Sequence, residues 1–175
     1  MAFIDWLDSL LPAFFEKTAN PILDKIMVFL SQINDIGAIW YGVILALISI
    51  KKYRKLGLAT LISLTVCFLV GDYGIKPLVR RIRPCNLEIT QELLIPRPSD
   101  FSFPSMHTAT SFAVAFTLFR NDKKMGIPFL IIAAFIGLSR IYLGVHYTTD
   151  VIGGAVFGML VAYITTKASK KLRQH

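Results

Sequence analysis

The feature that most constrains this chain is a recurrence of apolar stretches separated by short basic or polar clusters. Positions 36 to 50 are almost wholly apolar and stop at Lys51-Lys52-Tyr53-Arg54-Lys55. Comparable stretches cover 56 to 75, 104 to 119, 126 to 145 and 148 to 166. A spanning helix takes about 20 residues, so the pattern predicts an all-α integral membrane protein, a bundle of about five transmembrane helices. Composition agrees: 54% of the 175 residues are hydrophobic and 17% charged, with a mean hydropathy of +0.58. A soluble domain of that length has too little interior to hide so much apolar surface.

Two amphipathic pieces precede these spans. Within 3 to 17, Phe3, Ile4, Leu7, Leu10, Leu11, Phe14 and Phe15 share one helical face, and Asp5, Asp8, Ser9 and Glu16 take the other. This is the pattern of a helix lying in the membrane interface. Acidic residues recur along it, unlike the basic start and continuous apolar core of a secretory signal, so the helix is expected to be retained. Asn20-Pro21 reads as a cap followed by proline in the first turn. The piece it opens, with Ile22, Ile26, Phe29, Leu30 and Ile33, carries Asp24 and Lys25 and is too short and polar to span. The expectation is one membrane domain over 1 to 175, with interfacial helices in 1 to 34 and the transmembrane core and its site in 35 to 167.

A net charge of +8 raises the question of nucleic acid. The basic residues fall in short loops or in polar clusters, with no separate polar domain, so they read as topology signals and phosphate ligands rather than a nucleic-acid surface. Lys51 to Lys55, then Arg120, Lys123 and Lys124, then Lys167, Lys170, Lys171 and Arg173 share one side if the spans alternate. The positive-inside rule makes that side cytoplasmic and sends the remaining polar clusters to the outer face. Cys67 and Cys85 make no disulfide framework. The three histidines show no ligand spacing, so no metal or cofactor is expected.

Three clusters carry the chemistry. In Lys76-Pro-Leu-Val-Arg80-Arg81-Ile-Arg83-Pro84, Lys76 and Arg83 are seven residues apart, two helical turns, and would present two cations to one anion from a shared face. Arginine offers a planar fork of donors and lysine a compact charge. The alternative is a basic helix end reaching the headgroups. Asp72, one turn earlier, is placed to hold Lys76. In Pro104-Ser105-Met106-His107 a serine opens a helix, where free amides and the helix dipole favour phosphate, and His107 is near enough to pass a proton. A capping serine beside a bystander histidine is the alternative there.

Ser139-Arg140 and His146-Tyr-Thr-Thr-Asp150 place a base, an imidazole and a carboxylate in an apolar run, which is costly unless they are paired or face a watery cavity. If a helix begins near His146, Asp150 shares its face and holds one ring nitrogen while the other is aimed at a substrate. A structural ion-pair network is the bland alternative. Together the clusters describe a metal-free phosphoryl site. Lys76, Arg83 and Arg140 neutralise the phosphoryl oxygens, and amides at the Ser105 turn complete the cradle. His146, oriented by Asp150, attacks phosphorus; His107 protonates the departing oxygen and then activates water.

Lys76-x6-Arg83-Pro84, Pro104-Ser105-Met106-His107 and Ser139-Arg140-x5-His146-x3-Asp150 resemble the three signature motifs of the type 2 phosphatidic acid phosphatase family, over residues 20 to 167. The resemblance implies phosphate binding by Lys76, Arg83, Ser105 and Arg140, acid and base work by His107, a nucleophilic His146 and an orienting Asp150. It also implies metal independence, a lipid phosphate or diphosphate as substrate, and an active site facing the outside of a bacterial inner membrane. Family members usually have glycine at Met106, so that side chain either points away from the phosphate or narrows the pocket. Many have six spans where five are counted here. The expected substrates are undecaprenyl diphosphate, phosphatidylglycerophosphate, phosphatidic acid or a lipid A phosphate, with the loop containing Glu88, Glu92, Arg97 and Asp100 meeting the headgroup. A lipid phosphotransferase using the same site is the alternative enzyme. A small transporter or channel subunit, which has no need of the serine-histidine turn, is the alternative from another class.

Overall fold

Asn20 starts the first helix whose ends the sequence announces. In the computed structural model, which describes residues 2–87, 89–90 and 92–171, its side-chain oxygen accepts from the amides of Ile22 and Leu23 at 3.1 and 3.0 Å, with Pro21 in the first turn. Before it lies α1 (Ala2–Thr18), and the helix it caps is α2 (Pro21–Gln32). A short 3-10 turn, Asp35–Gly37, leads into α3 (Ala38–Ser49). The chain then forms α4 (Arg54–Phe68), a π-helical turn over Leu69–Ile75, α5 (Lys76–Val79) and α6 (Pro84–Leu87). After a loop come α7 (Met106–Asn121), α8 (Lys123–Tyr142) and α9 (Thr148–Lys171), and no strand occurs among the described residues. Glu88 and Arg173, both named in the sequence reading, lie outside those residues.

α7 is the central helix, packed against α9, α8 and α4. Its contact with α9 is close because Gly158 has no side chain. A Cβ there would stand 2.1 Å from the Ala109 carbonyl oxygen. Small residues at a helix crossing let the backbones meet, which is how helices associate where water supplies no driving force. The same three-helix seam carries polar links: Ser63 and Thr165 hydroxyls meet at 2.6 Å, and Thr117 donates to Ser63 at 3.0 Å. Trp40, Leu64, Val114, Leu118 and Ile136 fill the core, and the Trp40 indole donates to Ser111 at 2.9 Å. Outward, α4, α8 and α9 expose Leu58, Ile62, Ile131, Phe135, Val156 and Leu160. A surface so apolar is matched to lipid.

Among the described residues, three helical stretches can cross a membrane by length and hydropathy, namely residues 54–87, 123–142 and 148–168. A fourth is available if α2 and α3, bent 50° at the turn between them, count as one broken span. The region 36 to 50 thus does not cross alone: α3 has 12 residues, about 18 Å at 1.5 Å per residue. The expected span at 104 to 119 is α7, whose 16 residues cover about 24 Å against a hydrocarbon core of about 30 Å. Surrounded by other helices, it need not meet lipid on every side.

α1 differs from its expected placement in one respect. Leu7, Leu11 and Phe15 turn toward the bundle, where Phe15 meets Tyr142 edge-on at 5.3 Å, while Phe3, Trp6, Leu10 and Phe14 stay exposed. Asp8 also turns inward, to Arg81 and Thr149. The polar face is therefore not wholly solvated, because one of its carboxylates has partners inside.

Candidate active site

The third cluster folds as its spacing predicts. α9 begins at Thr148, the turn before it carries His146, and His146 Nδ1 stands 3.4 Å from Asp150 Oδ2. That is an ion-pair distance, longer than a hydrogen bond, and Nδ1 has no hydrogen-bond partner among the described residues. On the other side of the ring, Arg83 Nη1 lies 2.9 Å from His146 Nε2. A guanidinium only donates, so Nε2 must be the acceptor and the neutral ring carries its proton on Nδ1, toward Asp150. Burial pushes the imidazole pKa well below its ordinary value; Asp150 pulls the other way, and the charges of Arg83 and Arg140 add to burial. Burial and the two guanidinium charges thus favour the neutral imidazole, whose Nε2 lone pair accepts from Arg83.

Asp150 is fully buried and accepts the Ser102 hydroxyl, the Tyr147 amide at 2.9 Å and Arg81 Nη1 at 2.7 Å. Neither Ser102 nor Arg81 was singled out from sequence. Ser102 lies 48 positions away, and Arg81 was one of several basic residues in its motif.

Lys76 and Arg83 meet, but not by sharing a helical face. The helix breaks after Val79, where Arg80 is left-handed at φ 52°, and the chain is not helical again until Pro84. Proline disfavours helix in the residue before it, which accounts for the absence of helix at Arg83. The two cations are instead brought together by Asp100. Its Oδ2 accepts from Lys76, its Oδ1 takes Arg83 Nη2 at 2.8 Å, and its carbonyl oxygen takes Arg83 Nε at 2.9 Å. Burial disfavours the Asp100 anion, but the Lys76 hydrogen bond and the Arg83 charge outweigh it and hold its pKa down at about 2. Asp72 holds Lys76 at 2.7 Å, as its position one turn earlier suggested.

His107 lies in the first turn of α7, and its Nε2 is 3.2 Å from Asp35 Oδ1. Asn34 donates to the His107 carbonyl oxygen at 3.1 Å. Both partners come from the bend between α2 and α3, which no spacing linked to this turn. Ser105 behaves differently from the expected cap. Its hydroxyl accepts from Thr108 at 3.0 Å, its amide donates to the Asp150 carbonyl oxygen at 3.1 Å, and it makes no side-chain cap. Met106 points toward Gly71 and Phe157, where a Cβ on Gly71 would meet its sulfur at 2.5 Å. Arg140 donates to the Ser31 hydroxyl, while its buried Nε has no hydrogen-bond partner among the described residues.

Lys76, Arg83, Arg140, His107 and His146 line one cavity of about 720 Å³, together with Asp35, Asp100 and Met106. Ser105 and Asp150 sit behind its wall. Three cations, one anionic loop residue occupying two of them, and two histidines of which one is hydrogen-bonded to a guanidinium form an arrangement suited to an anion with a reactive centre.

Known proteins are similar to this chain in sequence or in fold. The model of the PAP2 superfamily matches residues 52–174. The undecaprenyl-diphosphatase of Sulfolobus acidocaldarius is 33% identical over 146 residues, which is 83% of this chain and 70% of that protein. The undecaprenyl-diphosphatase BcrC of Bacillus subtilis is 31% identical over 161 residues, 88% of this chain and 79% of its own. The crystal structure of a transmembrane PAP2 type phosphatidylglycerolphosphate phosphatase from Bacillus subtilis superimposes with a TM-score of 0.80 at 23% identity, covering 98% of this chain and 88% of that one. That last likeness is one of fold.

Proposed function

The chain belongs to the PAP2 superfamily, and from that premise we propose that it is a metal-independent hydrolase of a polyprenyl diphosphate or related lipid phosphate, working through a phosphohistidine on His146. The observation that carries this reading is the convergence of Lys76, Arg83, Arg140, His107 and His146 on one cavity, with His146 Nε2 facing the Arg83 guanidinium. Two relatives at or above 31% identity are undecaprenyl-diphosphatases, which favours a polyprenyl diphosphate among the lipid phosphates.

In this scheme the terminal phosphoryl group enters the cations now shared with Asp100. Arg83 shifts from Nε2 to a phosphoryl oxygen, Lys76 leaves Asp100 for another, and Arg140 finds in the phosphate an acceptor for its orphaned Nε. Ser105 opens the helix whose dipole favours that anion. Nε2 attacks phosphorus as the bond to the lipid oxygen breaks, and His107 supplies the proton that oxygen needs. Asp150 stabilises the charge gained by the His146 ring. His107, now basic, takes a proton from water; the water oxygen bonds to phosphorus, the P–N bond breaks and inorganic phosphate leaves. The reading extends to the whole chain as one domain, and to a site on the outer face of a bacterial inner membrane, supported by its basic loops at the opposite ends of the helices.

Phosphate release from undecaprenyl diphosphate, phosphatidylglycerophosphate, phosphatidic acid and lipid A, measured in detergent with excess chelator, is the test. The polyprenyl diphosphate should turn over fastest, with the rate unchanged by chelation. Loss of activity on chelation with return on adding magnesium would overturn the metal-free chemistry.

A further inference from the structure

A buried carboxylate keeps its charge and its place only where donors surround it, and the two oxygens of Asp150 are held in different ways. Oδ2 takes the Ser102 hydroxyl and the Tyr147 amide, and faces the His146 ring. Oδ1 takes Arg81 Nη1 at 2.7 Å. Arg81 is outside the cavity lining. Its guanidinium stacks on the Tyr147 ring at 3.9 Å and its other amino group donates to Asp8 Oδ2 at 2.5 Å. Asp8 lies on the inward face of α1, and its carboxylate also accepts the Thr149 amide at 2.8 Å and the Thr149 hydroxyl at 2.7 Å. A carboxylate from one helix thus caps the first turn of another, the end where an anion is favoured.

We propose that Arg81 is a positioning residue of the hydrolysis and that Asp8 anchors it, so that the N-terminal helix fixes the carboxylate that orients the nucleophile. The inference rests on the reading of His146 as that nucleophile and extends it to two residues that touch neither His146 nor the cavity. The contact that matters is the approach of His146 Nδ1 to Asp150 Oδ2, 3.4 Å, an ion-pair distance at which Nδ1 makes no hydrogen bond among the described residues. Any rotation of the carboxylate away from the ring widens it, and only a small movement toward the ring closes it to a hydrogen bond. Arg81 prevents the rotation because its planar fork binds Asp150 with one amino group and Asp8 with the other, and the Tyr147 ring sets its plane. Lysine in its place keeps the charge but presents a single point, so it holds one carboxylate and loses the other. The outer face of α1 is apolar, with Phe3, Trp6, Leu10 and Phe14 exposed. The brace therefore joins the buried carboxylate to a helix whose free side is suited to the lipid interface.

The test compares kcat and KM of the full chain in detergent for Arg81→Gln, Arg81→Lys, Asp8→Asn and the Asp8→Asn/Arg81→Gln pair, with His146→Ala as reference. Arg81→Gln should lose about 10- to 100-fold in kcat, the range seen when an outer partner that orients a metal-site ligand is removed, with KM within about twofold. Arg81→Lys should recover part of that loss. Asp8→Asn should fall in the same direction by less, and the double variant should be no worse than Arg81→Gln alone, because both changes break one brace. Wild-type kcat in Arg81→Gln, a loss confined to KM, or losses that multiply in the double variant would overturn the brace. If Arg81→Gln does not fold, Asp8→Asn decides, and unchanged kcat there overturns it. An active His146→Ala enzyme sinks the nucleophile and the brace together, whereas an inactive one beside a fully active Arg81→Gln sinks the brace alone.

Discussion

His146 and His107 face different carboxylates, and the proposed mechanism gives them different work. His146 is buried between Asp150 and Arg83, with Nε2 on the Arg83 side, the nitrogen that attacks in the proposed mechanism. His107 faces Asp35, a more exposed residue, at 3.2 Å, where a ring can trade protons with groups in the cavity. Removing each should therefore fail in a different way. His146→Ala should fall to background with every substrate, since no covalent intermediate forms. His107→Ala should still be attacked when the leaving group needs no proton. An activated aryl phosphate tests this by stopped-flow: the His107 variant should release a burst of phenolate and then turn over slowly, because water attack lacks its base. A burst from the His146 variant and none from the His107 variant would exchange the two roles.

Among the elements, α7 and α9 carry the site's geometry, because Ser105, His107 and Asp150 keep their relation only while these two helices stay in register. The Ser105 amide to the Asp150 carbonyl oxygen, at 3.1 Å, ties their first turns together. Lower down, the crossing depends on Gly158, whose added Cβ would clash with the Ala109 backbone at 2.1 Å. Gly158→Ala should cost about 1–3 kcal/mol, the range for overpacking a tight interface, read as a lower thermal midpoint in detergent. Gly42→Ala is the control, since its Cβ would meet nothing within 4 Å and alanine is the better helix former. Equal melting of the Gly158 variant and the parent would mean the helices are farther apart than described.

At the scale of the molecule, the helix directions put α4 and α8 ending, and α7 and α9 beginning, around the cavity. The connections at 50–53 and 122 lie at the other end, where Arg120 stacks on Tyr163 at 4.4 Å. That opposition lets one experiment orient both ends. A cysteine placed at Asn121 should be labelled by an impermeant reagent only from the cytoplasm, and one at Glu92 only from outside. Background should be low because Cys67 and Cys85 are both buried. The reverse pattern would turn the site to the inner leaflet.

What could be known from residues alone followed from short-range physics. Hydropathy marked the membrane helices because lipid tolerates few charges, so Arg140, His146 and Asp150 stood out by their cost, and the four-residue spacing of the last two sufficed to pair them. Asn20 and Pro21 marked a helix start because capping is settled within one turn. The rest was decided by contacts between segments far apart in the chain. Asp100 holds Lys76 and Arg83 across 24 and 17 positions, Asp35 reaches His107 across 72, and Asp8 reaches Arg81 across 73. No periodicity encodes such pairs. The helical register assumed between Lys76 and Arg83 failed for a related reason, since the left-handed Arg80 and the proline after Arg83 ended the helix, and the two cations converge on a loop carboxylate. Local propensity specifies the helices and their ends; which buried charge finds which partner is set only when the bundle closes and each unpaired ion must be matched or pushed out.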